Sequence, residues 1–385
     1  MTPEERSTSA IEGARDELVA LSHFIHEHPE LGYAEFESST ALIDQLNAWG
    51  FEVERNSAGL PTAFRASTGG GELHVTFCAE YDALPDVGHA CGHNIIAASS
   101  LGAFLGVSAV ADELNVRVTL LGTPSEEGGG GKIDLINAGY FNDEHMALMV
   151  HPFPSERLDA VCLAVDHFDV VFTGKEAHAS AAPWLGINAL DALTIAQTAL
   201  GLLRQQLRPG DQFHGVVLEG GSAANIIPSR TVGRFMVRAP TAGRLRELRE
   251  RVDACFAAGA LATGASLEIV ELGHQFSHME SDPDILLHYR RSAEALGRDF
   301  HLDDEEAPRP TLSTDMANVS LVVPSIHPLL MIPTNGAINH QPEFTTASAT
   351  PDADQAVIDG AVALANTVIA VAHDEALRKR LLSRT

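Results

Sequence analysis

Cysteine is scarce in this chain: Cys78, Cys91, Cys162 and Cys255 are the only four among 385 residues. They are too few and too scattered for a disulfide framework at this length, so reduced thiols, one of them available as a metal ligand, fit better. Basic residues are also short, 25 Lys and Arg against 52 Asp and Glu, for a formal charge of -27. Such a surface repels phosphate backbones and anionic lipid, so no nucleic acid and no membrane are expected as partners. Met1 to Arg15 shows no apolar stretch behind its basic residues, which argues against a secretory signal and predicts a cytoplasmic protein. The longest apolar run, Ile95 to Ala111, approaches a membrane span, but its Ala, Ser and Gly content predicts a buried helix instead. No internal repeat, low-complexity segment or heptad series is present. No Gly-x-Ser-x-Gly elbow appears, which removes the usual serine-hydrolase signature. Gly128 to Gly131 and Lys132 imitate a phosphate cradle, but Ile133 stands where Ser or Thr is required and two carboxylates precede the loop.

What the chain does carry is a set of metal-ligand side chains. Cys91 and His93 flank Gly92, whose backbone freedom lets a thiolate and an imidazole converge on one ion. Glu126 and Glu127 are adjacent, so one can bind metal while the other moves a proton. His151 and the segment Asn339-His340-Gln341-Pro342-Glu343 add further donors. Two metal ions suit such a set better than one, since zinc usually takes three or four protein ligands in each site. His89 competes as a ligand but suits an outer or substrate-facing role, and His145 reads as a surface residue. Glu80 and Asp82 are candidates for the carboxylates that orient ligating imidazoles.

The length predicts two domains. Strands are expected at Leu73–Ala79, Val116–Gly122 and Met146–Val150, alternating with helices, and the candidate ligands fall just after them. That is the arrangement of an open α/β sheet whose site lies beyond the carboxyl ends of its strands. Helices are expected at Ile11–His28, Ser38–Trp49, Pro283–Leu296 and Asp354–Ala372. From Asp166 to Ser277 the order becomes strand, helix, strand, strand, helix, strand. The expected architecture is therefore a catalytic α/β domain, residues 1–165 and 278–385, with a smaller α+β domain of βαββαβ order, residues 166–277, inserted in it.

In these motifs the sequence resembles the dinuclear zinc metallopeptidases of the aminoacylase/carboxypeptidase type, most of all their amidohydrolase branch of hippurate, indoleacetyl-amino-acid and aminobenzoyl-glutamate hydrolases and Xaa-Arg-type dipeptidases. The resemblance runs from His26-Glu27-His28-Pro29-Glu30-Leu31-Gly32 through Tyr81-Asp82-Ala83-Leu84-Pro85, His89 to His93, Glu126 to Gly130, Ala177-His178-Ala179-Ser180 and Asn225-Ile226-Ile227-Pro228 to Asn339–Glu343. It implies that Cys91, His93, Glu127, His151 and His340 bind two divalent ions, zinc first, with manganese, cobalt and nickel as alternatives. It further implies Glu126 as general base, His178 as a stabiliser of the oxyanion, Asn225 as a substrate contact, and an inserted domain acting as lid and dimerisation surface of a homodimer.

The implied reaction is hydrolysis of the amide bond of an N-acyl amino acid or small dipeptide. Another carbon–nitrogen bond, in an aryl amine or carbamoyl substrate, is the second reading, and a non-catalytic binding homologue the remote one. The chain departs from the pattern at Cys78-Ala79-Glu80, where many relatives have Arg-x-Asp, at Asn94 in place of Asp, and at Ser313-Thr314-Asp315 in place of Ser-Glu-Asp. These departures leave the acyl group and the amino-acid preference open.

Overall fold

The computed structural model describes residues 1–384. The chain divides into two compact units, Met1–Val161 with Met279–Thr385, and Cys162–His278.

The first unit is built on a six-stranded sheet in the spatial order Val53–Arg55, Phe64–Thr68, Val116–Gly122, Leu73–Ala79, Met146–Leu148, Ser325–Ile326. The four strands from Val116–Gly122 to Ser325–Ile326 run parallel, and the first two add an antiparallel edge. Leu73–Ala79 and Val116–Gly122 are apolar almost throughout because both faces are covered, as parallel strands require. The chain leaves Leu73–Ala79, crosses to Val116–Gly122 on one side, then returns to Met146–Leu148 on the other. Both crossovers carry a helix, His93–Ser108 and Gly131–Asn137. The connections therefore part at the carboxyl end of the central strand, the place where open α/β sheets bind their ligands.

The helix His93–Ser108 is apolar on nearly every side and buried along almost its whole length. It packs against Pro351–His373, which is long and apolar enough to cross a membrane but is a core helix here. The two come close at Gly102, where an added Cβ would meet the Cβ of Ala361 at 2.8 Å. The helix expected over Ile11–His28 is two helices, Pro3–Gly13 and Arg15–Glu27, broken at Ala14. Their buried residues Ile11, Leu18, Leu21 and Ile25 join the same core. Each such side chain contributes roughly 1.5–3 kcal/mol when fully buried.

The second unit has a four-stranded antiparallel sheet ordered Ser266–Glu271, Ala164–Thr173, Arg230–Ala239, Gln212–Glu219. Helices Ala189–Leu203 and Ala242–Thr263 pack on it around Phe168, Phe172, Phe235 and Phe256. The βαββαβ order expected from the sequence is present. One reading needs correction. His145, read as a surface residue, is buried, and its Nδ1 accepts a hydrogen bond from the main-chain N–H of His74 at 3.0 Å.

Candidate metal centre

The ligand-type residues gather at the carboxyl ends of the parallel strands. Glu80 and Asp82 follow Leu73–Ala79, Glu126 and Glu127 follow Val116–Gly122, and His151 opens the short strand after Met146–Leu148. Gly92 takes a φ of 70°, a conformation costly for other residues, and so turns Cys91 and His93 together at the start of the helix His93–Ser108. His340 arrives from the other end of the unit with φ 71°, its main-chain N–H held by the carbonyl of Ala90 at 3.0 Å.

Besides His93 with Glu126 and Glu127, and Glu80 with Glu126 and Asp315, two groups of three potential ligands share a sulfur, Cys91 with His93 and His151, and Cys91 with Glu127 and His340. Within each group the ligand atoms lie within 4.8 Å of one another. Cys91 belongs to both, so one thiolate can serve two ions. Both inner imidazoles are oriented by the main chain. His93 donates from Nδ1 to the Asp82 carbonyl at 2.8 Å, and His151 from Nδ1 to the Pro152 carbonyl at 2.8 Å. Since carbonyls only accept, Nδ1 carries the hydrogen in each ring and Nε2 is left for a metal.

Buried polar atoms normally have partners. Here His93 Nε2, Glu127 Oε1 and Glu80 Oε2 are buried without one. His93 Nε2 faces Glu80 at 3.7 Å and Glu126 and Glu127 at 3.9 Å each. Such a concentration of acceptors and thiol fits divalent cations, and the mixed thiolate, imidazole and carboxylate donors fit zinc chemistry.

The electrostatics point the same way. Burial, then Glu80 and Glu127, push the Glu126 carboxyl well above the usual range. Burial raises the Cys91 thiol strongly. Burial would push His93 down, but Asp82, Cys91 and Glu80 outweigh it and hold it well above the ordinary imidazole range. Protons are thus retained on groups that a cation would strip, so metal binding must release them. Burial, then the neighbouring His93, brings His151 down to about 4, which keeps it a neutral ligand.

His89 is buried and stacks on His26 with ring centroids 6.3 Å apart, outside the two ligand groups. His178 and Asn225 lie in the second unit, both exposed and on adjoining segments, with the Ala179 N–H donating to the Asn225 carbonyl at 2.9 Å. The His178 Nδ1 accepts from the N–H of Ser180 at 3.3 Å and of Ala181 at 3.2 Å, which leaves Nε2 to carry the hydrogen.

Three residues at the site went unassigned by sequence reasoning: Lys132, Asp315 and His327. Lys132 is fully buried and donates to Glu80 and Asp315. His327 is buried beside His151, ring centroids 5.4 Å apart, with neither ring nitrogen hydrogen-bonded to protein. Burial holds its pKa well below the usual value, so it is neutral. The rule that placed His151, a polar residue just past a strand end, applies equally to His327 after Ser325–Ile326.

The model of peptidase family M20/M25/M40 matches residues 76–368. The mouse Xaa-Arg dipeptidase is 39% identical over 391 residues, which cover 97% of this chain and 89% of the mouse protein. The human Xaa-Arg dipeptidase is 38% identical over 387 residues, 95% of this chain and 88% of that protein. Among solved structures, a dinuclear metal-binding peptidase of the M20 family from Bacillus subtilis superposes with a TM-score of 0.69 at 19% identity, over 93% of this chain and 99% of that one, a likeness of fold. With the family's motifs spread along nearly its whole length, the chain belongs to peptidase family M20/M25/M40 and is a metal-dependent hydrolase of carbon–nitrogen bonds.

Proposed function

We propose that the protein is a dinuclear dipeptidase, cleaving dipeptides with a basic C-terminal residue first and N-acyl amino acids second. The observation that carries this is the pair of three-residue ligand groups sharing Cys91. In this reading Cys91, His93 and His151 hold one ion and Cys91, Glu127 and His340 the other. Zinc suits the donors, with manganese as the alternative. When bound, the ions polarise the scissile carbonyl and acidify the attacking water.

The remaining work falls to side chains. Glu126 is buried, close to His93 and Glu127 but outside the two groups that share Cys91, and in this reading its carboxylate takes the proton from the nucleophile and passes it to the leaving amine. His178 presents an Nε2–H suited to the oxyanion. Asn225, on the adjoining segment, is the substrate contact that the family resemblance implies. Substrate preference is supported by the 39% identity with the Xaa-Arg dipeptidase over nearly the whole chain. A formal charge of -27 further favours a cationic substrate. The homodimer we propose uses the edge strand Gln212–Glu219, whose Val216, Val217 and Leu218 are 58%, 46% and 52% exposed.

The test is turnover of metal-reconstituted protein on dipeptides ending in Arg or Lys, N-acyl amino acids and aminobenzoyl-glutamate, with a chelated control. Chelator-sensitive release of Arg or Lys at the highest kcat/KM is expected. Preference for aminobenzoyl-glutamate would overturn the substrate assignment, and silence on the whole panel with two metals bound would overturn the dipeptidase reading.

A further inference from the structure

Lys132 is the first side chain beyond the glycine run, at the start of the helix Gly131–Asn137, and it is fully buried. Its Nζ donates to Glu80 Oε1 and, at 2.7 Å, to Asp315 Oδ1, and its main-chain N–H donates to Asp315 Oδ2 at 3.0 Å. Glu80 and Asp315 are themselves fully buried. Isolated, any of these three charges would be expensive at such depth, so they stand or fall together.

The triad does not balance: one ammonium meets two carboxylates. The uncompensated end is Glu80 Oε2, which is buried, has no hydrogen-bond partner in the protein, and lies 3.7 Å from His93 Nε2. Glu80, Asp315 and Glu126 also bring carboxylate oxygens within 4.8 Å of one another. Lys132 therefore grips one oxygen of Glu80 while the other faces the metal pocket. A carboxylate tied in this way cannot turn both oxygens onto an ion.

We propose that Lys132 is a positioning residue of the hydrolytic centre: it keeps Glu80 from turning both oxygens onto a metal ion, with one oxygen committed to the ammonium, and supplies a permanent positive charge that lets Glu80 and Asp315 stand beside Glu126. The inference rests on the site assignment above. Next to Lys132, Gly131 has no room for a side chain, since an added Cβ would meet the Pro124 carbonyl oxygen at 2.0 Å. Lys132 also ties Glu80, which departs from the family pattern, to Asp315, which keeps it, through one cation.

The test compares the parent with Lys132→Met and Lys132→Arg for kcat, KM, metal affinity by chelator competition, and thermal unfolding without metal. In Lys132→Met, kcat should fall by about 100-fold with KM changed by less than about threefold. Its metal affinity should rise by about tenfold, because freed Glu80 can turn both oxygens onto the ion and a nearby positive charge is gone. Lys132→Arg, which keeps the charge, should recover at least about a tenth of the parent kcat.

A kcat within about threefold of the parent in folded Lys132→Met, or metal affinity falling together with kcat as a merely structural residue would make it, overturns the proposal. Should Lys132→Met fail to fold, Lys132→Gln is judged by the same criteria. Failure of both to fold with metal present makes Lys132 structural and also overturns it. The underlying site assignment is tested separately by Glu126→Gln, whose full activity would bring down that assignment whatever happens at Lys132.

Discussion

His93 donates its Nδ1–H to the main-chain oxygen of Asp82 at 2.8 Å, and the Asp82 carboxylate stands 3.2 Å from the same nitrogen. The other carboxylate oxygen accepts the main-chain N–H of Glu127 at 3.0 Å. One aspartate thus aims an imidazole from one strand end and fixes the backbone of a carboxylate from the next. Burial would push Asp82 up, but His93 and the Glu127 N–H outweigh it and keep its pKa below the usual value. Asp82→Ala should therefore weaken metal binding by about 10- to 100-fold while the carbonyl still holds the ring. Chelator competition measures this, and parental affinity in the variant would show that the carbonyl alone does the orienting.

Glu126 and Glu127 share a loop but not an environment. Glu127 has a main-chain tether and stands 3.7 Å from His340, whereas Glu126 is pressed among Glu80, Glu127 and His93. Glu126→Gln keeps the shape and removes the base, so kcat should drop by about 10²- to 10⁴-fold with both metals retained. Cys91→Ala should instead lose metal, since both ligand groups include that sulfur. Elemental analysis beside steady-state kinetics separates the two outcomes. Near-normal turnover in Glu126→Gln would remove the assigned base, and full metal occupancy in Cys91→Ala would remove the shared ligand.

The legible part of this protein was local. Leu73–Ala79 and Val116–Gly122 begin and end where their apolar runs do, because strands covered on both faces must be apolar along their length. Helix ends were less visible. The helix expected over Pro283–Leu296 stops two residues earlier, at Glu294. The gathering of Cys91, His93, Glu126, Glu127 and His151 could be anticipated because each follows a strand or a tight turn. Lys132 could not, because its meaning lies in Glu80, 52 residues away, and Asp315, 183 residues away. A lysine after four glycines gives no sign that it is buried. His145 failed for the same reason: only the neighbouring strand, through His74, takes it out of water.

Glu35 gives the metal-free protein a pH dependence of predictable sign. It is fully buried, its oxygens accepting the Ser125 N–H and the Thr62 hydroxyl at 2.8 Å each. Burial, then the charge of Asp82, raises its carboxyl from 4.5 to about 7. Between those values the folded chain keeps a proton that the unfolded chain has lost. Stability from this group is therefore undiminished below 4.5, falls as pH rises through the window, and stays reduced above about 7. The full loss is about 3 kcal/mol. Urea unfolding of chelated protein across this range should show Glu35→Gln with a flatter decline than the parent. Equal slopes would place the pH dependence elsewhere.

The strand Gln212–Glu219 pairs with Arg230–Ala239 on one side and forms the edge of its sheet. Natural edge strands are usually short, charged or covered, since an open row of N–H and C=O groups invites another strand. This one is eight residues long and carries Val216, Val217 and Leu218 in succession, all exposed. In the proposed homodimer two such strands extend the sheet or pack their side chains together. Val216→Lys with Leu218→Lys places two charges on alternate residues of the edge, so that neither disturbs buried Phe213. The parent should run as a dimer and the double variant as a folded monomer in light scattering coupled to size exclusion. A monomeric parent would sink the dimer, and a variant that stays dimeric would move the interface away from this strand.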